Sequence, residues 1–385
     1  MSYFGNDAIN RVNLHYGIQQ LAQGAGGVFV FVFLLRAGVS VPLTLCTLAA
    51  MVGGRFLLRP LVLPLAQRLG IRTTVIAGTV LEAAMFPLLP LVKGPDRALL
   101  AVIAVGAVGS VIYWTSYHAY FAALGDTEHR GGQVGAREAI SAVVGVIAPL
   151  LGGWALATAG PTAAFAGSAV VQALAVLPLL SAPQVPVQVE APGGFRAALL
   201  GATLTATDGF FGAGSYYVWQ VALFVTLGES YTAYGGAMAL AGLVGAALSL
   251  GVGQMVDLGH GRCSVVLAYG IAAAVVVLKA AAFGTQWLAT LANALAPIVG
   301  ATLTPVLMAR VYNLAKASPC PLRFHIATEG GWDLGCGAGC LAAAGLAWAG
   351  QPLSVPILLA LGGGAAGFAM LMRSYTVASR LPRDG

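Results

Sequence analysis

Long apolar runs separated by short polar breaks dominate the chain. Read between breakers, they lie at 15–35, 41–66, 74–92, 98–122, 137–158 and 162–181. A Pro-rich polar stretch over 183–195 follows, and six more runs lie at 197–225, 231–255, 263–283, 287–312, 325–349 and 354–375. The hydrocarbon core of a bilayer takes about 20 apolar residues of helix, so each run predicts one membrane-spanning helix. The other connections are short and leave no room for an inserted soluble domain. The expectation is an all-α polytopic membrane protein of twelve transmembrane helices in two six-helix pseudo-symmetric bundles. The first bundle covers 1–182, a cytoplasmic linker 183–196, and the second bundle 197–385.

Composition gives the same solvent. Hydrophobic residues make up 58% of the chain and charged residues 8%, against roughly 25% charged in an ordinary soluble domain. Mean hydropathy is +0.86. The 52 glycines suit helices that approach closely in lipid. The five cysteines (Cys46, Cys263, Cys320, Cys336 and Cys340) form no CxxC pair and read as small apolar packing residues. Cys336 and Cys340 lie one turn apart, but no further ligands accompany them, so neither metal nor cofactor is expected. Residues 1–12 are polar and no small-residue cleavage site follows, so the first helix is expected to stay in the mature protein.

Charge placement orients the chain. With the N-terminus cytoplasmic, that side holds Arg11, Arg68, Arg72, Arg130, Arg137, Arg196, Arg262, Arg310, Lys316, Arg323, Arg373, Arg380 and Arg383. The opposite side holds Arg36, Lys93 and Arg97, and Arg55, Arg59 and Lys279 fall within spans. Both termini are therefore expected in the cytoplasm, with the chain in a bacterial inner membrane. Several features also recur at a separation of 191 residues: Gly70 and Gly261, Val108-Gly109 and Val299-Gly300, Glu138 and Glu329. A constant offset across three elements predicts duplicated halves, as in two-fold transporter architectures.

Two loop motifs sharpen this. Gly253-Gln-Met-Val-Asp257-Leu-Gly-His-Gly261-Arg262 lies between the eighth and ninth runs, and Leu63-Pro-Leu-Ala-Gln67-Arg68-Leu-Gly70-Ile-Arg72 between the second and third. With the 6+6 layout and central linker, the chain resembles the major facilitator superfamily along its whole length. That family carries a Gly-x-x-x-Asp-Arg-x-Gly-Arg-Arg pattern at these loops, where it latches one conformation. The resemblance thus implies gating roles for Arg68, Arg72, Asp257 and Arg262. The second copy is the better match, because Gln67 replaces the acid of the first; Asp257 is free to pair with a cytoplasmic arginine such as Arg137. A plain positive-inside turn accounts for the same residues. Ala148-Pro149-Leu-Leu-Gly152-Gly153 resembles the Gly-Pro-x-x-Gly-Gly motif of members that export compounds in exchange for protons, with Ala148 in place of Gly. Simple helix packing is the competing account.

Ionisable groups at bilayer depth are expensive and mark function. Asp208, about eleven residues into the seventh run and followed by Gly209-Phe-Phe-Gly212-Ala-Gly214-Ser215, is read as the coupling acid. The Gly-dense stretch permits a broken helix there. His325, Glu329 and Asp333 recur every fourth residue on one face. Glu329 and Asp333 join Asp208 as coupling candidates, and His325 joins Arg137 and Glu138 as gate groups; solvated helix caps are the alternative. Arg55 and Arg59 share a face and either meet an anionic substrate or pair internally with Glu82. The pairing is favoured, because an unpaired buried arginine is costly. Gln19 and Gln23 share a face of the first run. Tyr113-Trp114-Thr-Ser116-Tyr117-His118-Ala-Tyr120 and Tyr216-Tyr217-Val-Trp219-Gln220 supply aromatics with polar tips. Gln19, Gln23, Arg55, Tyr117, His118 and Tyr216 are the expected cavity residues for an amphipathic ligand; a membrane-interface belt explains the aromatics equally. Lys279 is expected to snorkel to the headgroups.

No P-loop, GxSxG or HExxH motif occurs, so neither an enzyme nor an ATP-driven pump is indicated. The leading expectation is a monomeric secondary active transporter of a small organic solute, working by alternating access. It is coupled to protons, with export favoured, and has no nucleic-acid partner. The alternatives are an uptake permease for an anionic nutrient or metal chelate, and a non-transporting scaffold or pigment-assembly factor on the same fold.

Overall fold

The structure is a computed structural model that describes residues 6–125, 130–187, 190, 193–252, 261–316 and 318–378. These residues hold twelve membrane-length helical stretches and no strand. In the first half they are α1 (Asp7–Arg36), α2 (Val41–Leu69), α3 (Ile71–Leu91), α4 (Arg97–Leu124), α5 (Arg130–Thr158) and α6 (Gly160–Leu180). In the second they are α7 (199–226), α8 (Tyr231–Val252), α9 (Gly261–Ala282), α10 (Gln286–Ala315), α11 (Pro321–Trp348) and α12 (Ser354–Ser374). Each coincides with one apolar run. Ten are long and apolar enough to cross a membrane. The other two are α7, which carries Asp208, and α11, which carries Arg323, His325, Glu329 and Asp333.

Several helices begin before their apolar run does. α1 starts at Asp7, capped by Asn6, whose Oδ1 accepts from the Ile9 N–H at 3.1 Å. α4 starts at Arg97, capped by Asp96, whose Oδ1 accepts from the Leu99 N–H and Oδ2 from the Lys93 N–H, both at 2.9 Å. Hydropathy marks only the part of a helix in hydrocarbon, whereas caps mark where its hydrogen bonding begins. Pro60 lacks the N–H that an α-helix requires, and α2 tightens into a 3₁₀ turn over Arg59–Leu61. In α7 the Gly-dense stretch does not break the helix. It widens into a π turn over Ala213–Val218 and runs on.

Packing groups the chain into two compact units, Met1–Pro192 with Leu227–Ala246, and Gly193–Thr226 with Ala247–Gly385. The boundary thus differs from the sequence-based one, because most of α8 sits with the first unit. Its Gly235 faces the Pro149 carbonyl of α5, which would lie 2.4 Å from a Cβ there. Gly153 of α5 faces the Tyr231 carbonyl in the same way. The Pro149–Gly153 segment thus packs closely on α8.

Within the first unit, α1 packs on α5 and α6, and α3 on α4 and α6. Within the second, α7 packs on α11 and α12, and α9 on α10 and α12. The pairings repeat at an interval of six helices, as a duplicated bundle requires. The glycine matches repeat less well. A Cβ at Gly109 would lie 2.8 Å from the Glu82 backbone N, whereas one at Gly300 would have no neighbour within 4 Å.

Candidate functional site

In the first unit a polar network surrounds Glu82 of α3, which is 6% exposed. Gln172 of α6 donates Nε2 to Glu82 Oε2 at 3.0 Å, and Gln19 of α1 donates to the same oxygen at 3.5 Å. Gln20 donates to Gln19 Oε1 at 2.8 Å, which orients the Gln19 amide with its NH₂ toward the acid. Arg55 of α2 attracts the carboxyl group electrostatically. An amide offers both donor and acceptor, so this shell can serve an ionised acid and, after rotating, a protonated one. One turn before Gln19, fully buried His15 points Nδ1 at the Ala175 carbonyl at 2.7 Å. A carbonyl only accepts, so that nitrogen carries the proton. Nε2 pairs with the Tyr113 hydroxyl at 3.1 Å.

The expected cavity residues divide. Gln19 joins the Glu82 network, and Arg55 acts on Glu82 electrostatically. Buried Arg59 donates to Thr115 Oγ1 at 2.9 Å. Gln23 folds over Gly27. Tyr117 does not line a cavity. It is fully buried in a core with Val12, Tyr113 and Tyr120, and stacks on Tyr16 at 5.2 Å and on Tyr113 at 5.7 Å. Its apolar ring is worth more in that stack than at a wet wall. His118 is exposed, with its ring 5.7 Å from that of Trp114.

In the second unit Asp208 of α7 is half-buried and accepts a hydrogen bond from the Trp332 side chain of α11. Tyr269 of α9 lies close enough to interact with it electrostatically. The pair α7 and α11 meets backbone to backbone. Cβ atoms at Gly331 and Gly335 would lie 2.0 and 1.9 Å from the carbonyls of Ala202 and Ala206. That approach brings Asp208 and Trp332 together. On α11, Asp333 is 1% exposed, while Glu329 and His325 are half-buried. The His325 ring stands at 90° to that of Phe324. Tyr216 is 47% exposed and lies edge-on to Tyr217 at 4.9 Å.

Lys279 does not snorkel. It is 5% exposed and donates Nζ to the Ser215 carbonyl at 2.7 Å. Its ammonium also lies 5.4 Å from the centre of the Trp219 ring.

Among the expected gate residues, Arg68 and Arg262 are exposed. Arg72 is tied within its own unit, donating Nη1 to the Ala182 carbonyl at 2.7 Å. The turn it flanks holds Gly70 at φ 79°, a left-handed conformation that favours glycine. Gln184 clamps that turn, donating to the Leu69 carbonyl at 2.9 Å and accepting from the Arg72 N–H at 2.9 Å. The start of the linker is thus docked on the α2–α3 loop. The Arg137 guanidinium sits 5.3 Å from the ring centres of both Tyr16 and Phe121. The Glu138 side chain and Asp257 lie outside the described residues. Those residues include no group of three His, Cys, Asp or Glu able to hold a metal.

Two membrane-crossing helix sets with one internal repeat and buried acids define a polytopic carrier. The sequence profile of the Major Facilitator Superfamily matches residues 17–319, and the chain belongs to that superfamily. Membership makes it, in general terms, a secondary transporter embedded in a lipid bilayer with a small-molecule substrate. Among solved structures, the POT family transporter PepTSo is similar at 11% identity and a TM-score of 0.71, covering 97% of this chain and 99% of its own. The human organic anion transporter MFSD10 (TETRAN) is similar at 17% identity and a TM-score of 0.69, covering 95% and 99%. Among curated protein sequences none matches.

Proposed function

We propose that the chain is a proton-coupled secondary transporter that moves a small organic solute by alternating access. It acts as a monomer in a bacterial inner membrane, with both termini cytoplasmic. The observation that carries this reading is Glu82, a buried acid on which Gln19 and Gln172 converge at a single oxygen. Such a group has no packing purpose that an apolar side chain would not serve better, and the amide shell suits both protonation states. Asp208 gives the second unit its own half-buried acid. Export is the direction we assign, on the resemblance of the Pro149–Gly153 segment alone.

The test is a solute screen in proteoliposomes. Under proton antiport, an acidic lumen drives uphill accumulation of a solute, and Asp208→Asn abolishes the accumulation while the protein stays folded. A scaffold would accumulate nothing under any gradient and would tolerate Asp208→Asn.

A further inference from the structure

Lys279 is a buried cation that the proton-coupling account leaves unused. An ammonium group has three N–H bonds, and the Ser215 carbonyl takes one of them, at 2.7 Å. The face of Trp219 supplies a further attraction. Among the described residues no carboxylate lies within ion-pair distance of Lys279, so the charge is held without a counter-ion. A lone cation at 5% exposure costs several kcal/mol in desolvation, which a methionine of the same length would avoid.

The surroundings form a built platform. The π turn over Ala213–Val218 shifts the backbone hydrogen-bond register by one residue, and the Trp219 N–H goes to the Tyr216 carbonyl. The Ser215 carbonyl is thereby turned to Lys279 of α9. Trp219 is 2% exposed and donates its indole N–H to Asn293 Oδ1 of α10 at 3.0 Å, which fixes the ring. Three helices thus hold one ammonium over one ring. Tyr216, which follows Ser215 on the same turn, is 47% exposed, so the turn that carries the Ser215 carbonyl borders the surface of the unit.

We propose that Lys279 binds the carboxylate, or an equivalent anionic oxygen group, of the transported solute, with Trp219 holding the ammonium in place from below. The two N–H bonds not used by Ser215 meet the anion. The solute is then an organic anion. This inference rests on the transporter reading and deepens it.

The test is binding to the purified full chain in detergent at pH 7, read from the shift of the thermal unfolding midpoint with ligand concentration. Acetate, benzoate and citrate are the probes, with benzamide as the uncharged counterpart of benzoate. At least one carboxylate stabilises the protein and benzamide does not. Lys279→Gln keeps a donor for the Ser215 carbonyl and removes only the charge. It weakens the carboxylate response at least tenfold. If that variant does not elute as a folded species, Lys279→Met replaces it. Stabilisation by none of the three carboxylates, or a response that either variant leaves unchanged, overturns the proposal. A failure here leaves the proton-coupling result standing, and failure of gradient-driven flux leaves this binding standing.

Discussion

Replacing Gly335 by alanine tests the packing on which the second unit depends. A Cβ at this position would lie 1.9 Å from the Ala206 carbonyl oxygen. A carbon beside a carbonyl oxygen settles at about 3.3 Å, so α7 and α11 must part locally by about 1.4 Å. The neighbour is backbone and cannot rotate away. A buried side chain makes 40–60 contacts of about 0.1–0.2 kcal/mol each, and a gap of up to 1 Å forfeits a quarter to a half of each. One side chain's worth of opened contacts therefore loses about 1–6 kcal/mol, a span that includes the roughly 1–3 kcal/mol usual for overpacked cores. The assay is thermal unfolding of the purified chain in detergent, compared with Gly345→Ala on the same helix, where nothing lies within 4 Å. Gly335→Ala is expected to lower the midpoint by several degrees and Gly345→Ala to leave it in place. Equal midpoints for the two variants would refute the close approach of α7 and α11.

Three further outcomes follow from other sites. Glu82→Gln keeps the shape of the side chain but cannot carry a proton on and off, so gradient-driven accumulation should fall at least tenfold while the elution profile is unchanged. Glu82→Leu leaves the Gln172 and Gln19 amides without their acceptor and should destabilise by about 1–3 kcal/mol per orphaned amide, measured as a lower unfolding midpoint than that of Glu82→Gln. Asp96 is held below the usual carboxylate range by the N–H groups of Leu99 and then Lys93. A depressed folded-state value means that its contribution is present above about pH 4 and lost as the pH falls through the folded value. Asp96→Asn keeps the cap without the charge, so its midpoint should fall less than that of the wild type between pH 6 and pH 3.

The twelve helices were legible because lipid imposes a length on every apolar run, and no tertiary contact can override that. The repeat was legible as an offset of 191, yet the structure expresses it in helix pairings rather than in matched residues; Gly109 packs tightly and Gly300 does not. The position of α8 was not legible. Its glycines match carbonyls of α5 that are far away in sequence, and nothing local marks such a match. In the first unit, Gln19 and Arg55 were legible as polar groups at bilayer depth, and both lie near Glu82. His15 extends the same stripe one turn back and was within reach of the same periodicity. Gln172 was not, because a lone amide in an apolar run has no pattern. Tyr117 was misplaced because an aromatic with a polar tip looks the same at a cavity wall as in a stack. Lys279 was misplaced because the Ser215 carbonyl that holds it is left by the Trp219 N–H only once the π turn forms.

The coupling claim is tested most directly by the lumenal pH of proteoliposomes, followed with a trapped dye while solute enters against its gradient. The account predicts that the acidic lumen loses protons in step with solute entry, and that Glu82→Gln and Asp208→Asn each uncouple the two. Solute entry at the same rate with no pH gradient, or an unchanged proton signal in both variants, would contradict it.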